Sequence, residues 1–183
     1  MAETIVETAR LRLRTWDDRD LDAVVAALDT PAVARWLGGV QGRDNWQLAL
    51  QRMQLRQAQD GYCFWLVDRL ADDVLLGFCG IKQVDCPDAP FCGETEIGWR
   101  LREDAWGHGY AREAAEASLT QGFCNHGLAR IHAMTVRQNA PSWGLMQRLG
   151  MVRARALDFS NTAVAPDISD HIVYSIDKGD WTQ

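Results

Sequence analysis

Between Thr95 and Leu101 apolar and polar positions alternate. Thr95, Ile97, Trp99 and Leu101 point one way, and Glu94, Glu96, Gly98 and Arg100 the other, which is the period of a strand. The alternation then stops. Arg102, Glu103 and Asp104 are polar, Gly107 and Gly109 bracket His108, and Ala111 begins a helix-forming run through Ala117. The pattern predicts a strand, a glycine turn and a helix N-terminus in succession.

The same reading covers the rest of the chain. Residues 5–15 predict a first strand, with Leu11 and Leu13 alternating against Arg10, Arg12 and Arg14, and Asp17 or Asp18 then caps a helix carrying Leu21, Val24, Val25 and Leu28. Thr30-Pro31 starts a short helix through Val33 and Trp36 to Gly38-Gly39. Asp44 or Asn45 caps a longer one with Trp46, Leu48, Leu50, Met53 and Leu55, ending before Gly61. Cys63–Arg69 and Val74–Val84 flank Ala71-Asp72-Asp73 as an antiparallel hairpin, and Gly77 and Gly80 inside its second strand signal a bulge or a close backbone approach.

After the glycine turn, a helix from Tyr110 to Cys124 ends at Asn125-His126-Gly127, and Leu128–Val136 is again strand-like. Strand, helix, strand predicts a parallel neighbour reached by a right-handed crossover, with a cleft at the head of the helix where the two strands splay. Asn139 ends that strand and caps a further helix, with Pro141 in its first turn and Gly150 at its stop. Strands near 152–159 and 171–176 close the sheet.

Composition narrows the classes. The 183 residues, 47% of them hydrophobic, suit one domain spanning 1–183 with a sizeable core. No window reaches the roughly eighteen apolar residues of a membrane span, and the first ten residues are too polar for a signal-peptide core, so a soluble cytoplasmic protein is expected. A net charge of −6 argues against nucleic acid as a partner. Five cysteines without a C-x-x-C pair support neither a disulfide framework nor a zinc site, and no metal is expected. Cys63, Cys79 and Cys124 lie in apolar runs and read as core, while Cys86 and Cys92 flank a Pro-rich loop and read as reduced thiols.

Converging backbone N–H groups at a glycine turn, joined to the positive end of a helix dipole, make an anion site. On spacing alone the junction serves equally well as a tight turn without a ligand. The wider pattern separates these readings. Trp106-Gly107-His108-Gly109-Tyr110-Ala111 occupies the frame [Q/R]-x-x-G-x-[G/A], and Asn139 to Gly150 matches N-x-x-S-x-x-x-x-x-x-L-G. Together they resemble the GNAT acetyltransferases, with Trp106 in place of the usual Gln or Arg, as in the branch of the RimJ/RimL protein N-terminal acetyltransferases.

That resemblance implies an α/β (α+β) fold: a mixed, mostly antiparallel central sheet, helices on both faces, and a splayed parallel strand pair forming the CoA cleft. It implies acetyl-CoA as co-substrate, and direct acetyl transfer through a tetrahedral intermediate to a primary amine, either a protein N-terminus or a small cationic amine. The N–H groups of Gly107, Gly109, Tyr110 and Ala111, with Arg112, would hold the pyrophosphate. His108 and Arg102 would add charge there or stand solvated. A backbone N–H of Trp99, Arg100 or Leu101 would stabilise the oxyanion, and Glu96 is the first candidate for the base.

Asn139 and Ser142 would lie near the pantetheine and thioester. Ser142 replaces the tyrosine that many members carry seven residues after the asparagine, where this chain has Met146. No glutamate follows Leu149-Gly150 closely, which leaves His132 and His171 as further base candidates or as structural histidines. Trp36 and Trp46 fall in the region that lines the acceptor side, or else belong to the core. The resemblance admits a homodimer. It also admits a non-catalytic acyl-CoA-binding module of the same fold.

Overall fold

The computed structural model describes residues 2–181. Its first two strands, β1 (Thr4–Glu7) and β2 (Leu11–Arg14), form an antiparallel hairpin rather than the single strand expected over 5–15. The Thr8 hydroxyl makes the turn by accepting the N–H groups of Arg10 and Leu11 at 3.4 and 3.0 Å. A 3-10 turn, Asp18–Asp20, leads into α1 (Leu21–Leu28). Asp17 caps it, accepting from the Arg19 N–H while the Asp20 carboxylate accepts from the N–H of Asp17, a reciprocal capping box.

Thr30 caps α2 (Pro31–Ala34), which stops short of Trp36. The next helix, α3 (Arg43–Asp60), is preceded by Gly42 instead of an Asp44 or Asn45 cap, and Gly61 ends it at φ +79°. β3 (Phe64–Arg69) and β4 (Val74–Gln83) pair as the expected hairpin. Val67 faces Gly77 and Asp68 faces Leu75, so Leu76 is the extra residue of a bulge. Both glycines of β4 are close-approach positions. A Cβ on Gly77 would sit 2.1 Å from the Arg100 carbonyl oxygen, and one on Gly80 2.2 Å from that of Cys63.

β5 (Thr95–Leu101) follows antiparallel to β4, α4 (Tyr110–Thr120) runs on into a wider π turn at Gln121–Asn125, and β6 (Arg130–Val136) returns parallel to β5. Beyond α5 (Ala140–Arg148), the strand expected over 152–159 is broken by a 3-10 turn, Arg155–Leu157, into β7 (Val152–Arg153) and β8 (Phe159–Ser160). Both pair with β9 (Asp170–Asp177). The sheet order is β1-β2-β3-β4-β5-β6-β9-β7, with β8 also on β9. All pairs are antiparallel except β5 with β6.

The two faces of the sheet are covered differently. α4 packs on the side of Cys79 and Ile81, with the Ser118 hydroxyl 3.6 Å from Cys79 Sγ and Gly122 against Ile81 and Ile131. α1 and the start of α3 cover the other side, where Arg14 bridges Asp20 and Asp68 and Trp46 lies beside Arg100. Cys63 and Cys79 are buried, and burial pushes both thiols up to about 12. Cys124 is exposed, contrary to its apolar neighbourhood in sequence, because it falls on the outer side of the π turn. No helix among the described residues is long and apolar enough to cross a membrane.

Candidate active site

The parallel pair holds together at one place only, Glu96 opposite His132. Beyond it β5 turns an unpaired edge toward β6. The direction of that edge follows from the antiparallel ladder on its other side. Arg102 N–H donates to the Leu76 carbonyl at 2.8 Å, so the even-numbered residues of β5 bond β4 and the N–H and C=O groups of Ile97, Trp99 and Leu101 point away from it. The Leu101 carbonyl accepts the indole N–H of Trp106 at 2.9 Å. The Trp99 amide remains directed into the cleft, where a strand-like ligand or a developing oxyanion could use it.

The glycine turn stands at the open end of this cleft. Gly107 and Gly109 adopt φ of +78° and +80°, a left-handed backbone that favours glycine. Among the described residues, no N–H from Gly107 to Arg112 donates to a backbone carbonyl or a side chain. Six main-chain donors are therefore unclaimed at the positive end of α4. A Cβ on Gly107 would meet nothing within 4 Å, so a phosphate can approach the main chain unhindered. His108 is exposed, its ring 5.8 Å from that of Tyr110. Arg102 pairs with Asp104 at 2.5 Å and Arg112 with Glu116 at 2.7 Å, both near the surface.

One residue that the sequence places only in the first strand also belongs to this region. Arg10, in the β1–β2 turn, donates through Nη1 to the His108 carbonyl at 3.0 Å, lies 4.6 Å from the centre of the Tyr110 ring, and pairs with Glu113 at 2.6 Å. Burial raises the Glu113 carboxyl, but the Thr8 hydroxyl and the side chain and N–H of Arg10 outweigh it and hold the group below the ordinary range.

On the α1/α3 side of β5, Glu96 meets Lys82 at 2.8 Å, across the β4–β5 ladder where the two are register partners. Burial raises the Glu96 carboxyl above its ordinary value against the pull of the ammonium. Burial also acts against Lys82, but Glu96 and Asp85, the latter at 2.9 Å, hold that ammonium above its ordinary value. Four residues further along β5, Arg100 lies over Trp46 and Phe78, 5.2 and 5.5 Å from their ring centres. Burial lowers its pKa to about 10, only partly offset by Asp29. A cavity of about 280 Å³ opens here, with Trp16, Trp46, Phe64, Phe78, Met53 and Arg100 among its walls. Trp36 is half-buried under the Arg35 guanidinium and is not part of that lining.

The comparisons with known proteins decide the family. The model of the acetyltransferase (GNAT) domain matches residues 10–152. This chain belongs to the GNAT acetyltransferases. It is 30% identical over 148 residues to the N-acetyltransferase p20 of Bacillus licheniformis, covering 78% of this chain and 79% of that protein. The crystal structure of an acetyltransferase from Agrobacterium tumefaciens is 25% identical and superposes with a TM-score of 0.76 over 93% of this chain and 92% of its own. At 18% identity, a ribosomal-protein-S5-alanine acetyltransferase from Vibrio fischeri shares the fold, with a TM-score of 0.75 over 97% and 98%.

For a GNAT acetyltransferase, the open β5 edge and the free amides of the turn fit an acyl-CoA: the turn suits the pyrophosphate, and the edge suits an extended pantetheine. At the second motif the expected cap is not made. Asn139 occupies the N-cap position of α5, but its side-chain amide donates to Thr135 Oγ1 at 3.0 Å, tying the helix to the end of β6. Its carbonyl accepts the Ser142 N–H at 3.1 Å. Ser142 is half-buried in the first turn, whereas Met146 is buried in the core and offers no hydroxyl to the cleft.

His132 and His171 are both structurally engaged. His132 bonds Ser175 Oγ at 2.7 Å and Glu94 at 2.8 Å, and His171 bonds the Ser169 carbonyl at 2.7 Å. No group of three or more His, Cys, Asp or Glu side chains among the described residues is arranged to hold a metal ion.

Proposed function

We propose that this GNAT acetyltransferase transfers acetyl from acetyl-CoA directly to a primary amine. The observation that supports it is the single β5–β6 ladder pair at Glu96 and His132, beyond which the unpaired edge of β5 runs toward the six unclaimed amides at the head of α4. Acetyl-CoA supplies an activated acyl carbon and a thiolate leaving group. The chain's residues do the rest. Gly107, Gly109, Tyr110 and Ala111, with Arg112, hold the pyrophosphate, and the N–H of Trp99 on the β5 edge is aimed at the reacting carbonyl oxygen.

Glu96 takes the amine proton, through water where direct contact is lacking. Burial raises its carboxyl above the ordinary value, which makes the ionised form a stronger proton acceptor than an exposed glutamate. Ser142 donates a hydrogen bond to the departing sulfur, the role a tyrosine would have had at Met146. The fold is shared with protein acetyltransferases such as that from Vibrio fischeri, and the fold alone is compatible with either a protein N-terminus or a small amine as acceptor.

The test is thiol release against a broad amine panel, with Glu96→Gln and Ser142→Ala beside the wild type. Turnover by the wild type and a loss of about a hundredfold in kcat for Glu96→Gln, with its acid limb gone, support the scheme. A second reading has its own observation, the burial of Met146 and the engagement of Glu96 by Lys82. Tight CoA binding without thiol release for any amine would make the protein a non-catalytic acyl-CoA-binding module.

A further inference from the structure

Arg100 is a half-buried cation that makes no ion pair or side-chain hydrogen bond among the described residues. Its Nε is out of contact with water and has no hydrogen-bond partner, and no described carboxylate lies within ion-pair distance of its guanidinium. Asp29 is the nearest source of negative charge. Its carboxylate is spent on the N–H groups of Gln41 and Gly42, at 2.6 and 2.9 Å, and faces the indole of Trp46. A guanidinium carries five donors, and burying it unpaired is costly. Such a group is normally found with an anion.

The cavity it faces is lined by aromatic rings and by uncharged or cationic polar side chains. Trp16, Trp46, Phe64 and Phe78 form the walls, Leu37, Ala49 and Met53 fill between them, and Gln41 and Asn45 stand at the side. The only other charged lining residue is Arg52, a second cation, so no carboxylate lines the space. At about 280 Å³ the cavity is close to the lower end of small-molecule sites, roughly 300–1,000 Å³. Arg100 and Gly98 share one face of β5 with Glu96, and the Phe64 ring packs on Gly98 between them, so the cavity ends at Phe64 and Glu96 lies beyond it. A polyamine or other purely cationic acceptor would meet two arginines here and no counter-charge.

We propose that this cavity holds the acceptor, and that the acceptor is an amine that also carries a carboxylate: an amino acid with an apolar or aromatic side chain. The carboxylate pairs with the Arg100 fork, the side chain lies among the tryptophan and phenylalanine rings, and the amine is turned toward the open β5 edge at Trp99. The assignment of the amine's direction rests on the transfer reaction proposed above; the carboxylate site does not.

Binding is therefore measured without acetyl-CoA, by the quenching of tryptophan fluorescence and by calorimetry. The probes are L-phenylalanine, 3-phenylpropanoate, which lacks the amine, and 2-phenylethylamine, which lacks the carboxylate. The two acids are expected to bind at least tenfold more tightly than 2-phenylethylamine. Arg100→Gln is expected to weaken both acids at least tenfold and to leave the amine unchanged. Because the substitution removes an unpaired, half-buried charge, its thermal midpoint should equal or exceed that of the wild type.

Ala49→Phe fills the cavity with Arg100 intact and should abolish binding of both acids. The proposal is overturned if 2-phenylethylamine binds as well as L-phenylalanine, if neither acid binds at millimolar concentration, or if either variant binds the acids like the wild type. A protein that binds the acids through Arg100 yet releases no thiol with L-phenylalanine would refute the transfer reaction and leave the carboxylate site standing.

Discussion

Arg10 and Glu113, 103 residues apart in the chain, are joined at 2.6 Å, and through them the β1–β2 turn is fastened to the first turn of α4. The same guanidinium holds the carbonyl of His108. The glycine turn thus keeps its amides in a fixed arrangement before any ligand arrives. Arg10→Ala should loosen that arrangement and raise the CoA dissociation constant by about three- to tenfold, or roughly 0.6–1.4 kcal/mol. Calorimetry on the folded variant decides it: an unchanged constant would show that the turn needs no outside support.

Glu113 also gives this contact a pH dependence. Its carboxyl is held below the ordinary value in the folded protein, so its contribution to stability is complete above the unfolded pKa and disappears as pH falls through the depressed folded one. The thermal midpoint should therefore decline between about pH 6 and about pH 3, and Glu113→Gln should flatten part of that decline. Parallel curves for the two proteins would assign the acid sensitivity elsewhere.

Gly109 combines a positive φ with a place at the N-cap of α4. A side chain there is strained, and its Cβ would stand 3.5 Å from the Arg10 guanidinium. Gly109→Val should raise the CoA dissociation constant tenfold or more, about 1.4 kcal/mol. Affinity equal to the wild type in a folded variant would remove the turn from the binding site.

Lys82 and Glu96 form a buried pair, and removing one partner strands the other. Lys82→Met should cost about 3–5 kcal/mol at neutral pH, read from denaturant titration. The sign of its pH dependence is opposite to that of Glu113. With the ammonium gone, the Glu96 carboxyl rises further, so the loss is greatest above its folded pKa and is relieved as pH falls and the group protonates. A loss that does not shrink in acid would mean that Glu96 is not the stranded charge.

The sequence showed most of the architecture because period-two alternation and punctuating glycines are local signals. β5 falls where the alternation runs, β3 and β4 are the apolar runs on either side of Ala71-Asp72-Asp73, and the close approaches at Gly77 and Gly80 could be expected from glycines inside a strand. The β1–β2 turn was missed because Thr8-Ala9-Arg10 carries no glycine, proline or asparagine, and a threonine hydroxyl does the work of a turn residue. Asn139 has the right residue type for a cap, yet Thr135 offered it a better partner.

The site was less legible for the same reason. Arg10 acts on residues far along the chain, and Arg100 has meaning only once α3 brings Trp46 over it. Lys82 was within reach: strand register across the β4–β5 connection sets it against Glu96, and a charge inside an otherwise apolar strand was the clue.

The parting of β5 from β6 also bears on how such a protein tolerates change. A sheet edge usually lies at the rim, where any passing chain can add to it. Here the unpaired stretch is interior, flanked by strands on both sides, and admits only something narrow and extended. Because its hydrogen-bonding groups belong to the main chain, Trp99 could be exchanged for many other residues without altering what the edge presents. On the proposed scheme, donor recognition would be carried by the course of the backbone, and the side chains lining the opposite face would distinguish one acceptor from another.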